Sequence, residues 1–314
     1  MEKIRQKSTY KNITNRFFTE EERNYIYSVD KEVEERRQFT RIWTLKESYL
    51  KYLGVGLKKD LSSFSRQEFA DVRTNLQMIF QDPYSSLNPR KHIYEILAQP
   101  MLYHQVATKE TLDAQLYELL DMVGLPKSVL GRYPHEFSGG QRQRIGIAKA
   151  LSLKPEFIVC DEPVSALDVS IQAQILNLLK SLKKELNLTL LFVGHGLGAV
   201  NYVSDRIAVM YLGKIVELGE AGEIFKNPIH PYTRALLSAV PVPDPEDRTP
   251  EKKLLQGETA GNGKIPTGCR FYPRCPYATE ICKQKEPSLQ DAGGGRAGEH
   301  LVACPIVMLQ KEES

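Results

Sequence analysis

The chain has 314 residues, of which 41% are hydrophobic, and its formal net charge is only +3. So small a charge gives no reason to expect a nucleic-acid partner. No apolar run approaches the roughly eighteen residues of a membrane span, and the N-terminus has no apolar segment that could direct secretion. We therefore expect a cytosolic protein whose five cysteines are reduced or metal-bound rather than paired in disulfides.

The first 53 residues form an atypical N-terminal segment. They are rich in charges of both signs and show no strand alternation. A partial helix within 19–50 is the most that the pattern suggests, and disorder is the alternative. For the lone Trp43, packing is favoured over the alternative of stacking on an adenine ring.

A strand and a group of helices follow. The apolar run Leu76–Phe80 predicts a buried strand that ends at Gln81. Residues 92–130 predict helices whose apolar residues recur at helical spacing and should form a core. These core positions are Leu112, Leu116, Leu119, Leu120 and Val123.

The sequence Ser138-Gly139-Gly140-Gln141 stands just before an amphipathic run that predicts a helix. Serine is a good N-cap, and glycines let a backbone approach a ligand closely. The free amides and partial positive charge of a helix start suit an anion, most often phosphate. By itself, Gly-Gly after serine is more often a plain turn.

Two carboxylates follow the short apolar run Phe157–Cys160, which predicts a fully buried strand. Asp161 and Glu162 come at its end. One carboxylate there can hold Mg²⁺ through water, and its neighbour can activate a water for attack on a phosphate. Taken alone, such a pair is more often a solvated loop or a helix cap. Cys160 should be inert packing.

A long amphipathic helix is predicted after Asp168, and a buried strand over 188–193 follows it. His195 comes just beyond that strand. A lone histidine in such a place is usually structural, so its role depends on the order of the elements around it.

The last third of the chain predicts a β-hairpin over 206–219, with its turn at 212–214, and a short helix over 221–227. Residues 241–268 are rich in Pro, Gly and charge and predict a linker or loop.

Four cysteines cluster at the end of the chain, and such a cluster in a cytosolic protein favours a metal over four free thiols. They are Cys269, Cys275, Cys282 and Cys304. Zinc usually uses tight pairs separated by two to four residues, and the gaps here are wider. Wider spacing is compatible with an iron–sulfur cluster, although spacing alone does not decide between the two.

In this order and spacing, the segments closely resemble the nucleotide-binding subunit of an ABC transporter. Ser138–Gln141 matches the signature motif, Phe157–Glu162 the Walker B strand with its catalytic glutamate, and Ser165–Asp168 the D-loop. Gln81–Arg90 and Pro228–Leu237 are similar to segments of the oligopeptide, dipeptide and nickel importer branch. The resemblance covers about residues 54–308.

The resemblance implies an α/β fold, namely an ABC-type nucleotide-binding domain with a RecA-like mixed sheet and a helical subdomain. We expect three regions: the atypical segment 1–53, the ATPase domain 54–227 with its helical subdomain at about 92–150, and a Cys-rich C-terminal extension at 228–314. The N-terminal lobe of the ATPase domain is expected to be incomplete.

The resemblance also implies roles for individual residues. The expected catalytic residues are Glu162, His195 and Gln81. The expected nucleotide-binding residues are Ser138, Gly139, Gly140, Gln141, Asp161 and Asp168. The expected cofactors are ATP and Mg²⁺. Some members of the branch carry a [4Fe–4S] cluster at such a C-terminal motif, which favours iron–sulfur over zinc for the four cysteines.

The partners that the resemblance implies are a second ABC ATPase subunit, two membrane permease subunits and, indirectly, an extracellular solute-binding protein. No nucleic acid is expected. The chain should lie at the cytoplasmic face of the cell membrane as a peripheral subunit. The transported solute, whether oligopeptide, dipeptide or nickel, stays open.

Two departures from the family pattern stand out. No stretch reads G-x-x-x-x-G-K-[ST], the Walker A loop that wraps the phosphates. His195 lies between Gly194 and Gly196, where the family usually has Ser and Asp. We therefore expect this chain to complete its partner's ATP site while lacking its own phosphate loop. The alternatives are a non-catalytic regulatory or redox module, or an inactive product of a frameshift or wrong start.

Overall fold

The computed structural model describes residues 23, 74–82, 86–239, 266–293 and 300–305. The predictions for the segment 1–53, including Trp43, therefore lie outside the described residues apart from Arg23, as does most of the predicted linker. The chain divides into two compact units, Met1–His195 and Gly196–Ser314. The predicted region boundaries after residues 53 and 227 stay predictions.

The first unit is built on a parallel sheet of strands β1 (Leu76–Ile79), β2 (Phe157–Asp161) and β3 (Thr189–Val193), in the order β1-β2-β3. Every residue of the central strand β2 is buried, as its unbroken apolar run predicts. β3 is half-buried rather than fully buried. Among the described strands it has a neighbour on one side only, which accounts for the difference.

Two helices follow β1: α1 (Ile93–Tyr103) and α2 (Leu112–Met122). Single 3₁₀ turns then span Lys127–Gly131 and Pro134–Glu136. All five positions predicted as core between 112 and 123 are buried. The helical reading of this region is therefore confirmed, and its apolar residues serve packing.

Two longer helices flank strand β2 along the chain. Helix α3 (Gly139–Leu151) precedes β2, and helix α4 (Val169–Glu185) follows it. Helix α3 packs against α1, α2, α4 and β1, and it buries the apolar side chains Ile145, Ile147 and Ala148 completely. Its position fixes the Ser-Gly-Gly-Gln segment against the loop that ends at Asp168.

The second unit begins with α5 (Leu197–Val203) and the hairpin of β4 (Arg206–Tyr211) and β5 (Lys214–Glu220). The hairpin turn lies at Leu212 and Gly213, which both have positive φ, at 45° and 79°. Two residues of this conformation form the turn whose twist suits adjoining antiparallel strands. The predicted hairpin and turn are confirmed.

The rest of the second unit adds short elements to that hairpin. They are α6 (Ala221–Lys226), α7 (Pro231–Ser238), a 3₁₀ turn at Tyr272–Arg274, α8 (Glu280–Gln284), β6 (Gln290–Asp291) and β7 (Leu301–Val302). The antiparallel sheet has the order β4-β5-β7-β6. The chain after residue 300 therefore returns to pair with β5, at Glu217 and Leu218.

An aromatic cluster forms the core of the second unit. Phe271 is 1% exposed and its ring lies 5.2 Å from that of Tyr211 and 5.5 Å from that of Tyr232. Gly268 lies so close to the backbone of Cys282 that a Cβ atom would overlap the Cys282 carbonyl oxygen. Glycine is therefore required at this entry to the cysteine-containing segment.

Candidate functional site

The carboxyl ends of the parallel strands bring three predicted catalytic residues together. The Gln81 Nε2 atom donates to Glu162 Oε2 at 2.7 Å. His195 Nδ1 lies 3.5 Å from the same oxygen. The Glu162 side chain is 22% exposed and that of His195 is 75% exposed, so this group faces solvent. The structure thus places side by side the three residues that the resemblance implies to be catalytic, and their catalytic roles stay predictions.

The backbone of Glu162 is held in an unusual conformation. Its φ of +46° lies in the left-handed region, which costs a non-glycine residue about 1 kcal/mol. The Glu162 amide donates to the Val193 carbonyl at 2.8 Å. Its own carbonyl accepts from the Ser165 hydroxyl at 3.1 Å and from the Ser165 amide at 3.2 Å. These bonds turn the chain sharply at the strand end and aim the carboxylate along the sheet edge.

Asp161 is the last residue of β2, is fully buried, and pairs in register with Val193. Burial first, and the nearby Asp161 carboxylate second, raise the pKa of the Cys160 thiol to about 12. Cys160 is therefore protonated at neutral pH and unreactive, in agreement with the prediction that it is inert packing. The magnesium-binding role of Asp161 stays a prediction.

The signature segment forms a capping box at the start of α3. Ser138 Oγ accepts from the Gln141 amide at 3.4 Å, and Gln141 Oε1 accepts from the Ser138 amide at 3.1 Å. The side chains of Ser138 and Gln141 thus satisfy two backbone donors reciprocally. The serine cap predicted from the sequence is confirmed.

The two glycines of that segment have a packing reason that the sequence did not reveal. A Cβ atom on Gly140 would lie 2.6 Å from Ile171 Cγ2, and one on Gly139 would lie 3.3 Å from Leu167 Cδ2. The glycines therefore let the start of α3 approach the loop and helix that follow β2. Their close approach to a nucleotide stays a prediction.

Asp168 is the N-cap of α4. Its Oδ1 atom accepts from the Ile171 amide at 2.9 Å, and Gln172 Nε2 donates to the Leu167 carbonyl at 2.8 Å. The predicted D-loop is therefore fixed to the first turn of α4. Its last residue has a structural task whether or not it also serves a nucleotide.

The four C-terminal cysteines lie in one neighbourhood of the second unit. Cys269, Cys282 and Cys304 are buried and Cys275 is half-buried. Burial is the largest cause of a raised pKa at Cys269 and Cys275, and the neighbouring thiols raise both further. Within the described part of the chain, no three Cys, His, Asp or Glu side chains are arranged to hold a metal ion. The residue types and their proximity suit a thiolate-bound metal, whereas a coordination geometry is not formed.

A buried carboxylate in the second unit was missed by sequence reasoning. Glu217, on β5, is fully buried and accepts from the amides of Ile229 and His230 at 2.8 and 3.0 Å. His300 Nε2 lies 2.8 Å from Glu217 Oε1. The only available signal was a glutamate between the apolar residues Val216 and Leu218 of the hairpin strand, because its partners lie far away in the sequence.

No helix among the described residues is long and apolar enough to cross a membrane.

Two family models match parts of the chain. Residues 216–282 match the C-terminal region of oligopeptide/dipeptide transporters. Residues 1–95 match the 4'-phosphopantetheinyl transferase superfamily. The first match contains the 228–237 segment and three of the four clustered cysteines. The second contains the atypical N-terminal segment and extends through β1.

Individual proteins are similar over most of the chain. The oligopeptide transport ATP-binding protein AppF of Bacillus subtilis is 48% identical over 272 residues, which cover 86% of this chain and 80% of AppF. The oligopeptide transport ATP-binding protein OppF of Salmonella typhimurium is 50% identical over 79% of this chain and 73% of OppF. The solved structure of cbiO1 from Clostridium perfringens, part of the ABC transporter complex cbiONQ, matches with a TM-score of 0.48 and 25% identity over 52% of this chain and 64% of cbiO1.

Proposed function

Because the chain belongs to the ATP-binding proteins of oligopeptide ABC transporters, we propose that it is the energy-coupling subunit of a peptide importer. It works as one component of a complex that uses ATP hydrolysis to drive transport. The observation that carries this function is the meeting of Gln81, Glu162 and His195 at the carboxyl edge of the parallel sheet. Ligands of open α/β sheets bind at this edge.

Each residue of that edge has a proposed role in phosphoryl transfer when Mg-ATP occupies this chain's own site, which the lack of a phosphate loop makes rare. Glu162 orients and activates the attacking water, since its partly exposed carboxylate lies at the rim of the sheet. Gln81 and His195 contact the same carboxylate oxygen, so they are placed to position the water and the terminal phosphate. Asp161 holds Mg²⁺ through water at the strand end.

The signature segment completes an ATP site on a second ATPase subunit. Residues 138–141 offer a capped helix start with its free amides, which suits the terminal phosphate of a nucleotide. This chain's own site has no phosphate loop of the Walker A type, because the sequence contains no G-x-x-x-x-G-K-[ST] stretch. Micromolar binding corresponds to about 8 kcal/mol, and each hydrogen bond to a charged group contributes about 1.5–3 kcal/mol. Loss of several loop amides and a lysine therefore removes most of the binding energy for Mg-ATP at that site.

This assignment is tested by paired variants in the complex assembled with the membrane subunits and the second ATPase subunit. Ser138→Arg places a bulky side chain at the partner's phosphates and should lower peptide uptake at least about 100-fold. Glu162→Gln should lower uptake far less, because it alters the site without a phosphate loop. Glu162→Gln should keep the wild-type thermal midpoint, whereas Ser138→Arg also removes the cap of α3 and should cost about 1 kcal/mol, so uptake is measured at a temperature where both variants are folded. Unchanged uptake by Ser138→Arg contradicts the proposal, and a collapse with Glu162→Gln shows that the chain's own site is active.

A second proposal concerns the origin of the N-terminal segment. The AppF alignment of 272 residues leaves only 42 residues of the chain outside it, so it overlaps the 1–95 match to the phosphopantetheinyl transferase superfamily. Strand β1 lies in that overlap and pairs in parallel with β2 of the ATPase sheet. We propose that the part of residues 1–42 that lies outside the AppF alignment derives from a second protein family, which matches the chain over residues 1–95.

The family match favours this joined origin over a frameshift, because an out-of-frame translation has no reason to match an unrelated family. Sequencing the gene and its flanking DNA on single long molecules tests it. Continuous reads across the codons for residues 40–75 that contain no Walker A sequence in any frame support a joined gene. A Walker A sequence in another frame just upstream of β1 supports the frameshift.

The finer assignments complete the proposed picture. The further partners are two permease subunits and, through them, an extracellular solute-binding protein. The chain lies at the cytoplasmic face of the membrane.

The four clustered cysteines bind a [4Fe–4S] cluster in preference to zinc. Metal analysis and visible absorption of protein purified without oxygen check the cluster, with Cys269→Ser as the variant that should lose the metal. Protein without iron or zinc contradicts this assignment.

A further inference from the structure

Charged side chains fasten the cysteine-containing stretch 269–282 to the hairpin of β4 and β5. Arg270 Nη1 donates to the Leu212 carbonyl in the hairpin turn, and Arg270 Nε lies 3.3 Å from Glu286 Oε1. The other carboxylate oxygen of Glu286 lies 3.2 Å from Lys214 Nζ, at the start of β5. Glu286 therefore joins a cation beside the first cysteine to a cation of the hairpin. We call Arg270, Glu286 and Lys214 the charged clamp.

Backbone contacts place two of the cysteines side by side. The Cys269 amide donates to the Cys282 carbonyl at 2.8 Å, and the Cys282 amide donates to the Thr279 carbonyl at 3.1 Å. Gly268 lies against the same Cys282 carbonyl, where a Cβ atom would overlap it. Phe271 is 1% exposed and packs between these cysteines and the hairpin core. None of these contacts uses a thiol as a ligand.

The other two cysteines are also placed by backbone hydrogen bonds. Cys304 comes just after β7, and the Ala303 amide beside it donates to the Val216 carbonyl of β5 at 2.9 Å. The Cys275 amide donates to the Tyr272 carbonyl at 3.2 Å and so closes a 3₁₀ turn. The backbone at all four cysteines is therefore held by contacts that do not depend on a metal.

We infer that the four-cysteine site is pre-organised: the second unit stays folded around its cysteines when no metal is bound, and it takes up a metal without refolding. Small metal domains behave differently when their metal-binding free energy is also their folding free energy. Here the aromatic core around Phe271 and the charged clamp hold the same backbone. Among the described residues the thiols do not form a metal-holding arrangement, so metal uptake requires side chains to rotate on a backbone that keeps its place. The inference rests on the proposed function only for the binding of a metal.

The first test is hydrogen exchange of the full chain, kept reduced and stripped of metal with a chelator. The amides of Cys269 and Ala303 report the two contacts that bring the cysteine-bearing segments together. We expect both amides to exchange at least about 100-fold more slowly than in an unstructured chain. Exchange at the unstructured rate overturns the inference. A chain that binds neither iron nor zinc contradicts the metal assignment of the proposed function, and the exchange result then still decides whether the backbone is held without a metal.

A matched pair of glutamate variants tests the charged clamp. Glu286→Ala removes the carboxylate that joins Arg270 to Lys214. The control is Glu280→Ala, since Glu280 is exposed and pairs with Lys283 of its own helix. In the metal-free chain, Glu286→Ala should raise the exchange rate of the Cys269 amide about fivefold, and Glu280→Ala should leave it unchanged. If Glu286→Ala does not fold, Lys214→Met takes its place, because it removes the more exposed half of the clamp.

Titration of the same variants with Co²⁺, followed by its visible absorption, distinguishes a pre-organised site from one that folds on metal binding. The apparent dissociation constant equals the intrinsic constant divided by the fraction of chains that are competent to bind. In a pre-organised site that fraction is close to one, so Co²⁺ affinity in Glu286→Ala should stay within about twofold of the wild type despite the faster exchange. Co²⁺ affinity that falls in step with the loss of protection overturns the inference, because the segment would then fold only as the metal binds.

Discussion

Two glutamates, each beside a histidine, lie in contrasting surroundings in the two units. Glu162 is 22% exposed, turns on a left-handed backbone, and meets the exposed His195 at 3.5 Å. Glu217 is fully buried and accepts from two backbone amides as well as lying 2.8 Å from His300. A carboxylate enclosed by donors is committed to structure, since any reacting group would have to displace them. A carboxylate at an open strand end is accessible to water and substrate.

The contrast shows why a glutamate–histidine pair is by itself a poor marker of catalysis. Glu217 joins three parts of the second unit: β5, the segment that enters α7, and the residues that lead into β7. This arrangement explains the 228–237 segment, which the sequence marked as typical of the importer branch without indicating what it does. The segment is fastened to the hairpin through its backbone amides at Ile229 and His230.

The largest expected effect comes from removing the buried carboxylate. Glu217→Ala leaves two backbone donors and His300 without their acceptor, and breaking a buried pair of this kind costs about 3–5 kcal/mol. Glu162→Ala should cost less than about 1 kcal/mol, because its side chain is partly solvated. Urea unfolding of the full chain, followed by hydrogen exchange of residues 206–238 and of β2, measures both. Equal losses of unfolding free energy in the two variants would contradict a structural role for Glu217 that Glu162 does not share.

A pH effect tests the same network from its histidine side. Burial lowers the pKa of His230 to about 4, although the Glu217 carboxylate opposes the shift. His230 Nδ1 accepts from the Tyr232 amide at 3.1 Å, which requires the unprotonated nitrogen. Because the folded pKa lies below the ordinary 6.5, the unfolded chain binds the proton more readily. The contribution of neutral His230 to the free energy of unfolding is fully present above about pH 6.5. It is lost as pH falls toward 4, and the loss is at most about 3 kcal/mol.

The control for this effect is His230→Asn, whose amide oxygen can cap α7 and does not titrate. Hydrogen exchange of α7 at pH 7, 6 and 5 should show a steep loss of protection in the wild type and a shallower one in the variant. His300 and Glu217 remain in both proteins, so the difference isolates His230. Parallel pH profiles would contradict the assignment of the acid response to His230.

Much of the first unit was predictable from the sequence, for physical reasons. Buried parallel strands have unbroken apolar runs, so β1 and β2 could be predicted, and the resemblance to ABC ATPases assigned Gln81, Glu162 and His195 to one site before any coordinates. The network around Glu217 could not, because its partners lie 12, 13 and 83 residues away and two of the donors are backbone amides. The packing of Gly140 on Ile171 could not be predicted either, because it joins the start of α3 to the first turn of α4, on the far side of strand β2 in the chain.

Substitution of Asp168 gives the smallest expected loss of stability. It also separates a structural role from a functional role at a single residue. Its carboxylate caps α4 by accepting from the Ile171 amide at 2.9 Å, so Asp168→Ala should cost about 1 kcal/mol of stability. Asp168→Asn keeps an acceptor at the cap and should lower the free energy of unfolding by only a few tenths of a kcal/mol. The thermal midpoints of the full chain give both values.

Peptide uptake by the assembled complex then shows whether the charge of Asp168 has a task besides capping. If Asp168→Asn is stable and transports normally, capping is the whole task of the residue, and its place among the nucleotide-binding residues is withdrawn. If Asp168→Asn is stable and transport falls, the negative charge of Asp168 acts at the ATP site. Asp168 then has two tasks, because it caps α4 and also serves the second subunit.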